Sequence, residues 1–527
     1  MSFEIPRRLN IAEEFLSRPA RECPARFAIL GEPAPVRYVE LDAAANRAGN
    51  ALLASGCRRG DRVLIVLPDS SEFIAAFLGA AKIGAIAVPV NPHARAADYQ
   101  LYLTDCGARF AVVHDGALAE FLRAESHSSL SVLIVVGVAP DHRRAAMGHE
   151  LSCPLLQWDE WQAAASPQLQ PADTSAEDAA FFLYTSGSGG TPKGAVHGHR
   201  DMLVCSRNYA RGVLGLRADD ITFSVSKLFF AYGLGNGMYF PLSVGAGTLL
   251  MPERPKPEGV ADLVARYRPT VFFSVPTFYA AILREVDGGL PCDFSSVRLA
   301  VSAGESLPAE IFEQFRKRFG IEILDGIGST EMLHIFISSR PGAARAGTCG
   351  TETPDAEVKI VDEAGNPVAT GDIGNLWVKG ESAFAEYWGK KELTARTKVG
   401  DWVITGDKFF RDADGFYHFY GRADDMLKIS GQWVSPGEVE NAMLAHPSIA
   451  EVAVIGRADS VGFVHAEAYV VLREVTPASG QLAQEIKEWM RKRLAPYKCP
   501  QEIHFTNELP KTATGKIQRF RLRDFKP

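Results

Sequence analysis

The stretch TSGSGGTPKG, Thr185 to Gly194, interleaves hydroxyl side chains with glycines and ends on a lysine. Glycines let backbone N–H groups turn inward, the hydroxyls add side-chain donors, and Lys193 adds positive charge, so such a loop can wrap a polyphosphate. It does not fit the frame G-x-x-x-x-G-K-[ST]. Aligned on Gly187, that frame places Pro192 where a glycine is required and Gly194 where a magnesium-binding hydroxyl should stand. A loop rich in Ser, Thr and Gly is also an ordinary surface turn, so its meaning depends on what accompanies it.

Four further segments accompany it: GSTE at Gly328 to Glu331, TGD at Thr405 to Asp407, GRADDMLKISG at Gly421 to Gly431, and PKTATGK at Pro510 to Lys516. Glu331 and Asp407 each close a short glycine-containing motif on a carboxylate. Lys516 sits among threonines and Gly515, a loop able to carry a long cation into a site. Taken singly, these residues read as a solvated carboxylate, a turn cap and a surface lysine. Together, in this order and spacing, the five segments resemble the adenylate-forming superfamily of acyl-CoA synthetases, peptide-synthetase adenylation domains and luciferases. The resemblance covers essentially the whole chain. One departure is Gly189, which stands where that family commonly has a threonine and removes one hydroxyl from the phosphate loop.

The resemblance implies two steps, attack of a carboxylate on the α-phosphate of ATP with loss of pyrophosphate, then displacement of AMP by a thiol. Catalysis should then rest on positioning and positive charge, with no covalent nucleophile on the enzyme. By resemblance, ATP would be held by Thr185, Ser186, Gly187, Ser188, Gly189, Gly190, Thr191 and Lys193, by Gly304, Glu305, Asp325, Gly326 and Ile327, and by Thr330 on the α-phosphate. Asp407 and Arg422 would hold the ribose, and Glu331 would ligate Mg²⁺. Lys516 would act in the first step. For the second, the C-terminal domain would rotate about Asp424 and bring Lys428 and Gly431 to the coenzyme A thiol.

Two segments, SKLFFAYGLGN at Ser226 to Asn236 and DGIGSTEMLHIF at Asp325 to Phe336, look specifically like the benzoate-CoA ligase branch. That branch would line a flat apolar slot with Phe230, Ala231, Tyr232, Ala303, Gly328, His334 and Ile335, suited to a small aromatic carboxylic acid. Phe229, Phe230, Tyr232 and His334 read equally well as core side chains. The chain departs from the branch at SVSK, Ser224 to Lys227, where S-A-A-K is usual, and at Phe278, where a glycine is common. A hydroxyl near the slot would favour an ortho or meta amino or hydroxyl group, so benzoate, 2-aminobenzoate and hydroxybenzoates all stay open. A stand-alone adenylation enzyme that loads a carrier protein's phosphopantetheine thiol is the alternative. A luciferase-like oxygenase and a non-catalytic binding protein find no supporting residue.

The elements that must position these groups follow from pattern. Apolar runs at Arg62 to Leu67, Phe181 to Ser186, Thr270 to Pro276 and Arg298 to Glu305 alternate with amphipathic stretches such as Glu310 to Phe319, the rhythm of parallel sheets covered by helices. Ligands should gather at strand C-terminal ends. From about Gly347 short alternating segments predict a small antiparallel barrel or sheet, with Asp414-Gly415 at a hairpin turn. A compact α+β unit follows, with a helix near Ala483 to Leu494. The expected fold is α/β with a β barrel. With the resemblance, this implies a large N-terminal adenylation domain, 1–421, of two βα subdomains plus the barrel, followed by a smaller mobile α+β lid, 422–527.

At 527 residues the chain exceeds one core, and 46% apolar with 23% charged residues is globular composition. A net charge of -7 implies no nucleic acid partner. The eight cysteines form no C-x-x-C pair, which argues against zinc and disulfides and fits a cytoplasmic location. The start MSFEIPRRLNIAEEF has no apolar signal core, and Lys82 and several glycines interrupt the apolar stretch Phe73 to Val90, so no membrane association is expected. A homodimer is compatible with all of this.

Overall fold

The uninterrupted apolar runs form the centres of two large sheets. A computed structural model of the chain describes residues 4–31, 33–125, 129–137, 153–186, 192–429, 432–458, 464–473, 477–511 and 517–523. In the first sheet, strands follow the order Leu155–Gln157, Val132–Val136, Phe110–His114, Arg62–Val66, Ile86–Pro89, Ala179–Ser186 and Pro192–Gly198. All neighbours are parallel except the last pair. The second sheet has a parallel centre, Ile323–Gly328, Leu299–Ser302, Val271–Ser274, Ile221–Ser224, Gly247–Leu249 and Phe27–Leu30, with antiparallel strands at both edges.

Why the strands are apolar throughout is visible in their burial. Val63, Ile65 and Phe181 of the first sheet share one core with Val271, Phe273 and Val301 of the second and with Phe73 and Phe77 of the helix Ser71–Lys82. Their sequence neighbours Leu64 and Val66, or Phe272 and Ala300, face separate cores under the outer helices. With both faces covered, alternation has no polar side to show. The amphipathic stretch is the helix Ala309–Phe319, which buries Phe312 and Phe315 and stops at Gly320, whose φ of +72° suits a glycine cap.

The antiparallel segment is a five-stranded sheet built on Glu357–Val361, Gly374–Lys379, Trp402–Arg411 and Tyr417–Arg422 with Lys398–Val399. Gly415 turns between two of these strands at φ +91°. After Arg422 a hairpin, Leu427–Ile429 with Gln432–Val434, leads into a three-stranded sheet of Ile449–Ala458, Val464–Leu472 and Glu502–Phe505. Its helix, Gly480–Arg491, starts where Ser479 caps the Leu482 N–H and buries Leu482, Ile486 and Met490 at four-residue spacing. Among the described residues no helix is long and apolar enough to cross a membrane, and no disulfide is present.

Candidate active site

The strand Ile323–Gly328 ends in the motif GSTE, where Thr330–Met332 make a single 3₁₀ turn. A Cβ on Gly328 would lie 2.5 Å from the His334 carbonyl oxygen, so only glycine lets the chain fold back here. Ser329 caps the turn by accepting from the Met332 N–H at 3.3 Å. Every carbonyl of the turn is tied. Thr330 O accepts from His197 Nε2 at 2.8 Å, Glu331 O from the Phe384 N–H at 2.7 Å, and Met332 O from the Ser382 hydroxyl at 3.0 Å. The next residue, Leu333, is fully buried at φ +64°, a backbone strain on the order of 1–3 kcal/mol that the surrounding ties sustain.

Beside this turn stands Lys193, on the strand that pairs antiparallel with Ala179–Ser186 so that Thr185 faces Lys193 across the ladder. Its Nζ donates to Tyr387 Oη at 2.8 Å and lies 3.9 Å from Glu331 Oε1, while Tyr387 Oη donates to the same carboxylate oxygen. Burial lowers the Lys193 pKa, Glu331 opposes that, and the charge of Arg422 adds to it. Burial likewise keeps the Tyr387 hydroxyl protonated, reinforced by Glu331. Arg422 is held by Asp407 Oδ1 at 3.0 Å and Thr405 O at 3.1 Å, its strand registered with that of Asp407. Lys193 of the glycine-rich segment, GSTE and TGD therefore meet at one place. Glu331 commits one oxygen to Tyr387, and among the described residues no group of three or more His, Cys, Asp or Glu could hold a metal. A divalent ion with one protein carboxylate and otherwise phosphate and water ligands fits that donor set.

On the far side of the strand, Asp325 is buried in register with Ser302, and Gly304 turns at φ +91° beside half-buried Glu305. Burial raises the Asp325 carboxyl to about 8, against hydrogen bonds that include the Gly326 N–H, so it is largely protonated near neutral pH. A Cβ on Gly326 would lie 3.0 Å from the Ile335 side chain and from the Ile337 carbonyl oxygen, and Ile327 is half-buried. A neutral carboxyl at the C-terminal end of a parallel strand offers one donor and one acceptor to a heterocycle.

The expected ring pocket is partly open and partly core. Phe230, Ala231 and Tyr232 are half-buried at the head of the helix Ala231–Leu234, Ala303 and Ile335 are buried, and Gly328 is exposed. Phe229 belongs to the core at 7% exposure and packs its ring 4.3 Å from that of Phe230. His334 is 3% exposed, ringed by Phe240, Tyr209 and Tyr232 at centroid distances of 4.5, 5.3 and 5.5 Å. Burial pushes its pKa down to about 3, leaving a neutral imidazole whose Nε2 lies 3.4 Å from the Tyr232 carbonyl. Lys227 ties to the Met251 carbonyl and to Asp69 at 3.5 Å, and the Ser224 hydroxyl donates to the Ser226 carbonyl at 3.0 Å, so both serve the turn before the pocket.

Gly187, Ser188, Gly189, Gly190, Thr191, Gly431 and Lys516 lie outside the described residues, as does the side chain of Lys428. Their neighbours are placed. Lys511 bridges to Ile517 and Gln518 N donates to Pro510 O at 2.8 Å, closing the stem of the Lys516 segment. Tyr387 and His197 escape the sequence reading. Tyr387 lies in EYWGKKE, which carries no motif, 194 positions from Lys193. The only signal for His197 is its place on the strand leaving the glycine loop.

A family model described as AMP-binding enzyme matches residues 16–388, and one described as AMP-binding enzyme C-terminal domain matches 438–516. Benzoate–CoA ligase of Thauera aromatica is 40% identical over 526 residues, covering 99% of this chain and 97% of its own. The 3-hydroxybenzoate–CoA/4-hydroxybenzoate–CoA ligase of Thauera aromatica is 39% identical, covering 98% and 97%. Among solved structures, the anthranilate CoA ligase AuaEII in complex with anthranoyl-AMP is 38% identical with a TM-score of 0.93, covering 99% of this chain and 98% of that one.

Proposed function

Because the chain belongs to the AMP-binding enzymes of the adenylate-forming superfamily, in the benzoate-CoA ligase branch, we propose that it activates benzoate or a small substituted benzoate such as 2-aminobenzoate or a hydroxybenzoate. It is an acid:CoA ligase that uses ATP and CoA and acts on aryl acids. The observation carrying this is the full-length likeness, in sequence and in fold, to ligases whose acids all bear one benzene ring. These likenesses are to CoA ligases and do not favour a carrier protein as acceptor.

In this reading Lys193 and Lys516 supply positive charge to the phosphates and carboxylate, Thr330 holds the α-phosphate, and Asp407 with Arg422 holds the ribose. Mg²⁺ on Glu331 would spread the charge of the leaving pyrophosphate. Tyr387 bonds to both Lys193 and Glu331, so that their ion pair stays open at 3.9 Å and does not close into a direct hydrogen bond before substrate arrives. Asp325 offers its neutral carboxyl to the adenine. The ring lies against Phe230, Ala231, Tyr232, Ala303 and Gly328, with His334 and Ile335 closing its far end.

Thioester formation follows after the C-terminal domain, taken as 422–527, turns about Asp424 and presents Lys428 and Gly431. The local ties support that pivot. Arg422 is anchored to Asp407 and the Ala423 N–H to the Gly406 carbonyl at 2.9 Å, whereas Asp425 pairs with Arg519 and Arg523 at 3.6 and 3.3 Å, leaving Asp424 between two fixed points. A homodimer in the cytoplasm completes the proposal, with light scattering as its check. Pyrophosphate release across benzoates, aminobenzoates, hydroxybenzoates, cinnamates and fatty acids tests the substrate class. A preference for octanoate or cinnamate over every one-ring acid would overturn it.

A further inference from the structure

His197 is fully buried at the inner end of the strand Pro192–Gly198, its ring stacked on Phe181 at 5.3 Å and 19°. Phe181 lies on the strand that enters the glycine loop, and His197 on the strand that leaves it. One ring nitrogen, Nε2, meets the Thr330 carbonyl oxygen at 2.8 Å. A carbonyl only accepts, so Nε2 carries a hydrogen. The other, Nδ1, meets Asp201 Oδ2 at 2.9 Å, and that oxygen also accepts from the Gly198 N–H at 3.0 Å. Asp201 is itself buried, in the first turn of the helix His199–Cys205.

We propose that His197 and Asp201 form a positioning pair for adenylation: Asp201 fixes the imidazole, and the imidazole fixes the turn that aims Thr330 at the α-phosphate. With Nε2 committed as donor, one proton is shared between Nδ1 and Oδ2, so the pair is electrically neutral as a unit, and the Arg200 guanidinium lies 3.9 Å from the other Asp201 oxygen. The only polar link from the two phosphate-loop strands to the Thr330 carbonyl, among the described residues, is this bond. Neither residue touches substrate. The pair matters because a hydroxyl displaced by even a fraction of an ångström loses a short, charge-assisted contact that forms fully only in the transition state.

The inference rests on the reading of Thr330 as the α-phosphate ligand, and its test separates the two. ATP–pyrophosphate exchange is measured on full-length enzyme with the preferred benzoate of the panel above, for Thr330→Val, His197→Ala, the double variant, His197→Gln and His197→Asn. Thr330→Val should lower kcat about a hundredfold and His197→Ala about tenfold or more, with KM for the acid unchanged. The double variant should be no worse than Thr330→Val alone, because His197 acts through it. Gln places its amide nitrogen near Nε2 and should restore most of the rate, while Asn reaches only the Nδ1 position and should not. If His197→Ala fails to fold, the Gln and Asn pair still decides. Losses that multiply in the double variant, or equal rates for His197→Gln and His197→Asn, would overturn the inference. Unchanged exchange in Thr330→Val would instead sink the reading of Thr330.

Discussion

Replacing Tyr387 by phenylalanine removes one oxygen and leaves the ring, and the structure states what that oxygen does. It accepts from Lys193 Nζ at 2.8 Å and donates to Glu331 Oε1, both partners charged and mostly buried, with side-chain exposures of 16% and 14%. Hydrogen bonds to charged groups contribute ~1.5–3 kcal/mol each. The ring keeps its packing on Phe384, at 4.7 Å, and the Lys193 ammonium stays 4.1 Å from the ring centroid. Only the hydroxyl is lost. Lys193 and Glu331, now 3.9 Å apart, can then close into direct contact and recover one of the two interactions. The recovery takes the lysine from the phosphates and the carboxylate from the metal. The net loss felt by adenylation is about one charged hydrogen bond, roughly ten- to 150-fold in rate. ATP–pyrophosphate exchange across a magnesium titration reads this directly, with the half-saturating Mg²⁺ concentration expected to rise as kcat falls. A kcat within about twofold of wild type at an unchanged magnesium requirement would refute the reasoning.

Lys516→Ala should lower adenylation by ~10²–10³ while leaving conversion of pre-formed aryl-AMP and CoA to thioester largely intact. Equal loss in both half-reactions would contradict that division of labour. Asp424→Pro should block the rotation by fixing φ, sparing adenylate formation and slowing thioester formation; a wild-type rate for the second step would show the hinge to be elsewhere. His334→Ala should raise kcat/KM for a bulky para-substituted benzoate relative to benzoate by roughly ten- to two-hundred-fold, since overfilling a packed pocket costs about 1–3 kcal/mol. An unchanged ratio would make His334 purely a core residue. Burial lowers the pKa of His334 to about 3 and of His199 to about 4, below the unfolded value of 6.5. The unfolded chain therefore binds protons that the folded chain refuses, and stability is full above about pH 6.5 and falls as pH drops towards 4, by up to ~1.4 kcal/mol per pH unit for each histidine. Urea midpoints at pH 7, 6 and 5 should show this slope reduced in His334→Gln, and parallel pH curves would refute it.

Much of the scaffold was legible because it rests on local pattern. Phe181 to Ser186 is apolar and aromatic enough to announce a strand, and Thr270 to Pro276 and Arg298 to Glu305 likewise hold the strands Val271–Ser274 and Leu299–Ser302. The partner strand Pro192–Gly198 was not legible, because Pro-Lys-Gly reads as the tail of a loop, and only pairing across the sheet makes it extended. Tyr387 and His197 were missed for a related reason. Their importance lies in contacts across 194 and 133 positions, to which neither periodicity nor spacing along the chain gives access. The pocket was half legible: Phe229 and Phe230 adjoin in sequence, yet only the fold decides that the first is core and the second is half-buried at its edge.

The tied turn at Thr330–Met332 has a consequence for how this enzyme can change its acid. Gly328 and His334 are the two ends of the same seven-residue stretch that carries Thr330 and Glu331, so in the proposed reading selectivity and turnover share one short piece of backbone. Its strained Leu333 stands between the two ends like a spring under load. Repainting the aryl slot at position 334 should be easy to select for and hard to do without a toll on rate. Substitutions at Phe230 or Ala231, on a separate helix, offer a route to new acids that leaves the phosphates undisturbed.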